Sequence, residues 1–102
     1  MLTSKQRAQL RSMANTLDTI AIVGKDGITE NLVAQVSDQL RARELIKGKV
    51  LENSLLTAKE AVAALAEECK AEAVQAIGSK FVLYKRNEKD PKIELISEKK
   101  KK

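Results

Sequence analysis

The stretch IAIVGKDGITENLVAQV, residues 20–36, contains the change of pattern on which the fold class turns. With the preceding Thr19 its first part reads TIAIVG, ending at Gly24. It is short, β-branched and apolar on both faces of a pleat, the pattern of a central strand. After Gly27 the period lengthens. Thr29 stands as an N-cap, and Leu32, Val33, Val36 and Leu40 recur along one helical stripe. Arg41 and Arg43 fall in the last turns of this helix, where positive charge suits the helix dipole. Between strand and helix lies Gly24-Lys25-Asp26-Gly27, which is either a surface turn or a cradle for an anion. Backbone N–H groups of such a turn lie beside the free donors of the first helical turn, and glycine permits close approach. Lys25 adds a mobile cation, while Asp26, which would repel phosphate, reads as a stabiliser of the turn. The spacing is neither a Walker loop nor the three-glycine dinucleotide fingerprint, so nucleotide hydrolysis has no support.

Outward from this unit the chain repeats the alternation. Thr3 to Asn15 reads as a helix, with Thr3 and Gln6 forming a capping box and Leu10, Met13, Ala14 and Leu17 at helical spacing. Arg7 and Arg11, four apart, share another face. ELIKGKVL, residues 44–51, is a second strand with Ile46, Gly48 and Val50 on one face and Leu45, Lys47, Lys49 and Leu51 on the other, half-solvated face. Lys47 and Lys49 can meet phosphates on an open sheet face or cover apolar surface with their stems. Thr57 and Glu60 form a second capping box, opening a third helix with Ala58, Val62, Leu65 and Cys69 on its stripe. AVQAI and KFVLYKR flank Gly78-Ser79, a two-residue connection that suits a type II′ hairpin. KIELI, residues 92–96, is a candidate short edge strand, and the terminal run Lys99 to Lys102 is expected to be disordered.

The order α-β-α-β-α-β-β defines an α/β domain with a mixed four-stranded sheet. The right-handed crossover rule places the second and third helices on one of its faces. The first helix has no place fixed by these rules. Residues 1–86 form the domain and 87–102 a charged tail.

The 102 residues allow one core of ordinary size, and with Phe81 and Tyr84 as the only aromatics that core is aliphatic. A reader that stacks bases on several aromatic rings is therefore disfavoured. Cys69 is the lone cysteine and histidine is absent, so zinc ligation and Cys-His catalysis drop out. Cys69 itself reads as a small buried hydrophobe. With no nucleophile and general-base set, the chain is not read as an enzyme, and no cofactor or small-molecule substrate is expected. No apolar run is long enough for a bilayer and the first residues lack a signal peptide's core, so a soluble cytoplasmic protein is expected. The net charge of +5 is uneven. Residues 52–72 hold Lys59 and Lys70 against Glu52, Glu60, Glu67, Glu68 and Glu72, a net −3, and the rest of the chain therefore carries +8. A basic face turned to a polyanion with an acidic face turned away is one reading, and a merely soluble basic protein is the other.

Four ordered stretches carry a more specific resemblance: LTSKQRAQLRSMA, VGKDGITENLV, ELIKGKV and AVQAIGSKFVLYKR. Over residues 2–86 the chain resembles the bacterial YhbY-type proteins, the single-domain form of the CRM (chloroplast RNA splicing and ribosome maturation) domain. The resemblance implies a fold similar to the C-terminal domain of translation initiation factor 3, with a GxxG loop at Gly24, Lys25, Asp26 and Gly27. It implies a monomeric RNA-binding protein that associates with rRNA of the assembling large ribosomal subunit. Arg7, Arg11, Arg41, Arg43, Lys47, Lys49, Lys80, Lys85 and Arg86 are then the candidate phosphate contacts. A protein-interaction adaptor that docks ribosomal proteins through the acidic third helix is the alternative. Gly48 departs from the family, in which that strand position is usually aliphatic, and is expected to weaken or bulge the second strand.

Overall fold

In a computed structural model, residues 2–87, 89, 91, 93 and 95 are described. The elements are α1 (Ser4–Ala14), β1 (Thr19–Val23), α2 (Glu30–Arg43), β2 (Leu45–Val50), α3 (Ala58–Cys69), β3 (Glu72–Ile77) and β4 (Lys80–Tyr84). All three helices begin at a threonine that accepts from the backbone three residues on, and the α1 and α3 caps are full capping boxes with Gln6 and Glu60.

The strands form one mixed sheet in the order β1-β2-β4-β3. β1 and β2 are parallel through the α2 crossover, and the other two pairings are antiparallel. Gly78 has φ 61° while Ser79 has no positive φ, as a type II′ turn requires. The expected central strand is in fact an edge. β1 borders only β2, and the half-solvated strand, β2, is central. Apolar residues on both faces of β1 have a different cause. A register irregularity between Thr19 and Ala21 turns Ile20 toward the same packed face as Ala21 and Val23, whereas Ile22 stays exposed.

Helices α2 and α3 cover one face of the sheet. Leu32, Val36, Leu40, Ala61, Val62 and Leu65 meet Ala21, Val23, Ile46, Phe81 and Leu83 there. On the opposite face α1 seats Leu10 and Ala14 on Leu45, Val74, Val82 and Tyr84. Met13, expected on the α1 stripe, is exposed, and Leu17 lies beyond the helix as a partly buried neighbour of this second cluster.

Gly48 does not break β2, whose pairing with β4 is continuous. Its cross-strand partner is Phe81, and a Cβ at position 48 would come within 2.6 Å of Phe81 Cε1 and 2.8 Å of Ala21 O. The missing side chain makes room for the ring. The irregularity appears instead on β1, one step away. Of the strand expected at 92–96, only Ile93 and Leu95 are described, and neither is in a strand; both pack against the α1 cluster. The run 99–102 lies outside the described residues.

Candidate nucleic-acid interface

β1 and β2 both end at one rim of the sheet, where three connections meet. Leu51 N–H donates to Val23 O at 2.9 Å and Val50 N–H to Ser79 O at 2.7 Å, tying the residue after β2 to the end of β1 and the end of β2 to the β3–β4 turn. The Gly24–Gly27 loop stands at this rim as a β-turn closed by a 3.1 Å bond from Gly27 N–H to Gly24 O. Its two glycines are not equivalent. Gly27 has φ 72°, a conformation that a side chain strains. Gly24 has no such φ, and a Cβ there would meet only Leu51 Cδ1 at an ordinary 3.8 Å.

Fewer amides converge here than the sequence pattern implies. Gly27 N–H is used inside the turn, Leu32 N–H is used by the Thr29 hydroxyl at 3.1 Å, and α2 starts only at Glu30, itself an acid. The amides of Lys25 and Asp26, at the tip of the turn, are not used within it. Both side chains are exposed, and Asp26 makes no side-chain bond among the described residues. The backbone bond rather than the carboxylate closes the turn.

α1 covers only the part of its sheet face remote from this rim. On the uncovered part Lys47 and Lys49 are half-buried and Lys80 is exposed. The α1 flank with Gln6 and Met13 lines grooves shared with Leu95 and Ile93, and helical spacing puts Arg7 and Arg11 on the other flank. Arg7 has structural work as well. Its guanidinium donates to Ala73 O at 2.6 Å and lies 3.8 Å from Glu72 Oε1.

The remaining predicted cations sit at the opposite rim. Arg41 pairs with Asp38 at 2.7 Å, and it lines a groove with Lys85 and Arg86; Arg43 lines a neighbouring one with Leu45 and Ile93. The predicted residues thus form two groups rather than one surface. Glu44, expected as the first residue of a strand, instead organises this second rim. It is fully buried, caps α2 at φ 67°, and its two carboxylate oxygens accept from Asn87 N–H and Ile93 N–H, each at 2.7 Å. Its carbonyl accepts from Lys85 N–H at 2.8 Å. No local pattern signals this role, because Asn87 and Ile93 lie far along the chain.

The acidic residues Glu60, Glu67 and Glu68 are exposed on α3, in the layer across the sheet from Lys47 and Lys49. Cys69 is buried with its thiol 3.7 Å from Val33 O, and burial pushes its pKa up, which disfavours the reactive thiolate. Among the described residues no group of three or more Cys, Asp or Glu could hold a metal ion, and no helix is long and apolar enough to cross a membrane.

A sequence model of the CRS1/YhbY (CRM) domain matches residues 2–85. A Bacillus subtilis protein named "Probable RNA-binding protein YqeI" is 42% identical over 95 residues, covering 93% of this chain and 99% of the relative. A Haemophilus influenzae protein named "RNA-binding protein" is 36% identical over 94 residues, covering 92% and 94%. The solution structure of the hypothetical protein SAV1595 from Staphylococcus aureus superposes with a TM-score of 0.79 at 45% identity, covering 94% of this chain and all of that one.

Proposed function

The chain belongs to the CRS1/YhbY (CRM) domain family, and from that membership we propose that it is an RNA-binding protein whose contact surface is the bare half-face of the sheet and the rim above it. The observation that carries this reading is the segregation of charge. Lys47, Lys49 and Lys80 share the bare half-face with no acid among them, Lys25 stands on the rim above beside the exposed Asp26, Glu30 and Glu52, and the exposed acids of α3 occupy the far side of the sheet. The names of the two curated relatives support RNA as the partner.

In this account the turn at 24–27 brings a sugar-phosphate backbone against the amides of Lys25 and Asp26 and the Lys25 ammonium. Lys47, Lys49 and Lys80 continue the contact down the sheet, and Arg11 ends it at α1. Arg41, Arg43, Lys85 and Arg86 form a separate basic rim that a longer RNA reaches. Phosphate contacts position a protein but carry little sequence information, so target choice comes from RNA shape or from unpaired segments. We further propose that the target is rRNA of the assembling large ribosomal subunit, bound by a cytoplasmic monomer without catalysis, cofactor or membrane.

The test is RNA affinity as a function of salt. Each phosphate contact on a single strand should add about −0.7 to the slope of log K against log salt. Replacing Lys25 and Asp26 together by alanine, with both glycines kept, should weaken binding by about 1–3 kcal/mol. Unchanged affinity in the folded variant would remove those side chains from the site. For the ribosomal target, the protein should co-sediment with large-subunit precursors and lose them after nuclease treatment; absence from those fractions would sink it.

A further inference from the structure

One row of residues crosses all four strands on the bare half-face. Ile22 of β1 stands opposite Lys49 of β2, Lys49 opposite Lys80 of β4, and Lys80 opposite Ile77 of β3. Gly48 and Phe81, next to the two lysines, face α2 and α3, so the row points the other way, toward solvent. Ile22 is 42% exposed and Ile77 65%, on the two edge strands, about 14 Å apart across three strand spacings.

The lysine pair is placed against the protein's own stability. Val50 and Ser79 form a hydrogen-bonded pair, so Lys49 and Lys80 occupy the adjacent non-bonded position, where side chains approach most closely. Like charges directly opposite one another destabilise a sheet. The row contains no carboxylate, and the two ion pairs recorded among the described residues, Arg7–Glu72 and Arg41–Asp38, lie elsewhere. An anion from outside relieves the repulsion. It must also tolerate an exposed isoleucine on either side. The outer surface of an RNA duplex presents phosphates and 2′-hydroxyls, which lose water against isoleucine with no hydrogen bond in return. A single strand has both parts: phosphates for the lysines and unstacked bases with apolar faces.

We infer that this row binds single-stranded RNA, with a phosphate over Lys49 and Lys80 and the adjoining bases laid outward on Ile22 and Ile77. This rests on the RNA-binding reading above and narrows its ligand to unpaired segments. The backbone then runs along the strands, from Lys47 past the pair toward the turn at Gly24.

The experiment compares three probes by fluorescence anisotropy: a short unstructured RNA, the same sequence in a duplex, and an abasic strand with the same number of phosphates. Wild type should bind the unstructured RNA most tightly. The Ile22→Gln/Ile77→Gln variant, altered only at exposed positions, should lose about tenfold on that RNA and nothing on the abasic strand. Lys49→Gln/Lys80→Gln should lose affinity for all three. Equal binding of duplex and single strand, full affinity in the isoleucine variant, or displacement of RNA by a poly-Glu peptide at matched charge would overturn the inference while RNA binding stands. Failure of wild type to bind any of the probes would overturn both.

Discussion

Where β1 and β2 end, three loops meet over an uncovered stretch of sheet, and Lys25, Lys49 and Lys80 stand without an ion-pair partner among the described residues. At the opposite rim cations are as frequent, but α1 lies over the sheet. There a buried Glu44 binds the chain after Tyr84, and Ile93 and Leu95 close over the α1 cluster. Positive charge alone therefore does not identify a binding surface. One rim uses its polar groups to hold the protein together, and at the other Lys25, Lys49 and Lys80 make no ion pair among the described residues.

Glu44 tests the closed rim hardest. Glu44→Ala strips the acceptor from the Asn87 and Ile93 amides and should cost about 3 kcal/mol of stability in urea denaturation, with RNA affinity of the folded protein unchanged. A large loss of affinity would mean that the two rims are not separate. Gly48→Ala drives a methyl into Phe81 and Ala21 O in the layer both rims share, and should destabilise by about 2 kcal/mol in the same assay.

The open rim gives smaller effects on stability. Gly27→Ala, at φ 72°, should cost about 1–2 kcal/mol. Gly24→Ala should stay within about 0.5 kcal/mol, because the added methyl meets only Leu51 at van der Waals distance. Any fall in RNA affinity in that variant then reports close approach of the ligand to the backbone. Reversal of Glu67 and Glu68 to lysine should leave RNA affinity within about twofold, since α3 lies across the sheet; loss of ribosomal-protein capture with RNA binding intact would favour the adaptor reading.

Local signals carried most of the fold. The Thr3/Gln6 and Thr57/Glu60 boxes mark helix starts through bonds that span three residues, and Gly78-Ser79 marks the hairpin in the same way. What depended on distant partners was hidden. Apolar alternation reports burial and not neighbours, so β1 was read as central although its second apolar face was made by a bulge at Ile20 and an exposed Ile22. Gly48 looked like a weakness because Phe81 lies on another strand, and Glu44 looked like the start of β2 because Asn87 and Ile93 come long after it. Of the candidate site, the turn at 24–27 and the shared face of Lys47 and Lys49 were legible as geometry. Their separation from Arg41, Arg43, Lys85 and Arg86 was not, since it follows from strand order rather than from composition.

The central claim, that a short RNA lies on the bare half-face and not on the closed rim, is tested most directly by titrating the isotope-labelled protein with a short unstructured RNA and following backbone amide shifts. The account predicts the largest changes at Lys25 to Gly27, Ile22, Lys47, Lys49 and Lys80, with Glu67, Glu68 and Asn87 unmoved. Changes concentrated on α3 or around Glu44 and Asn87, with the 24–27 turn silent, would contradict it.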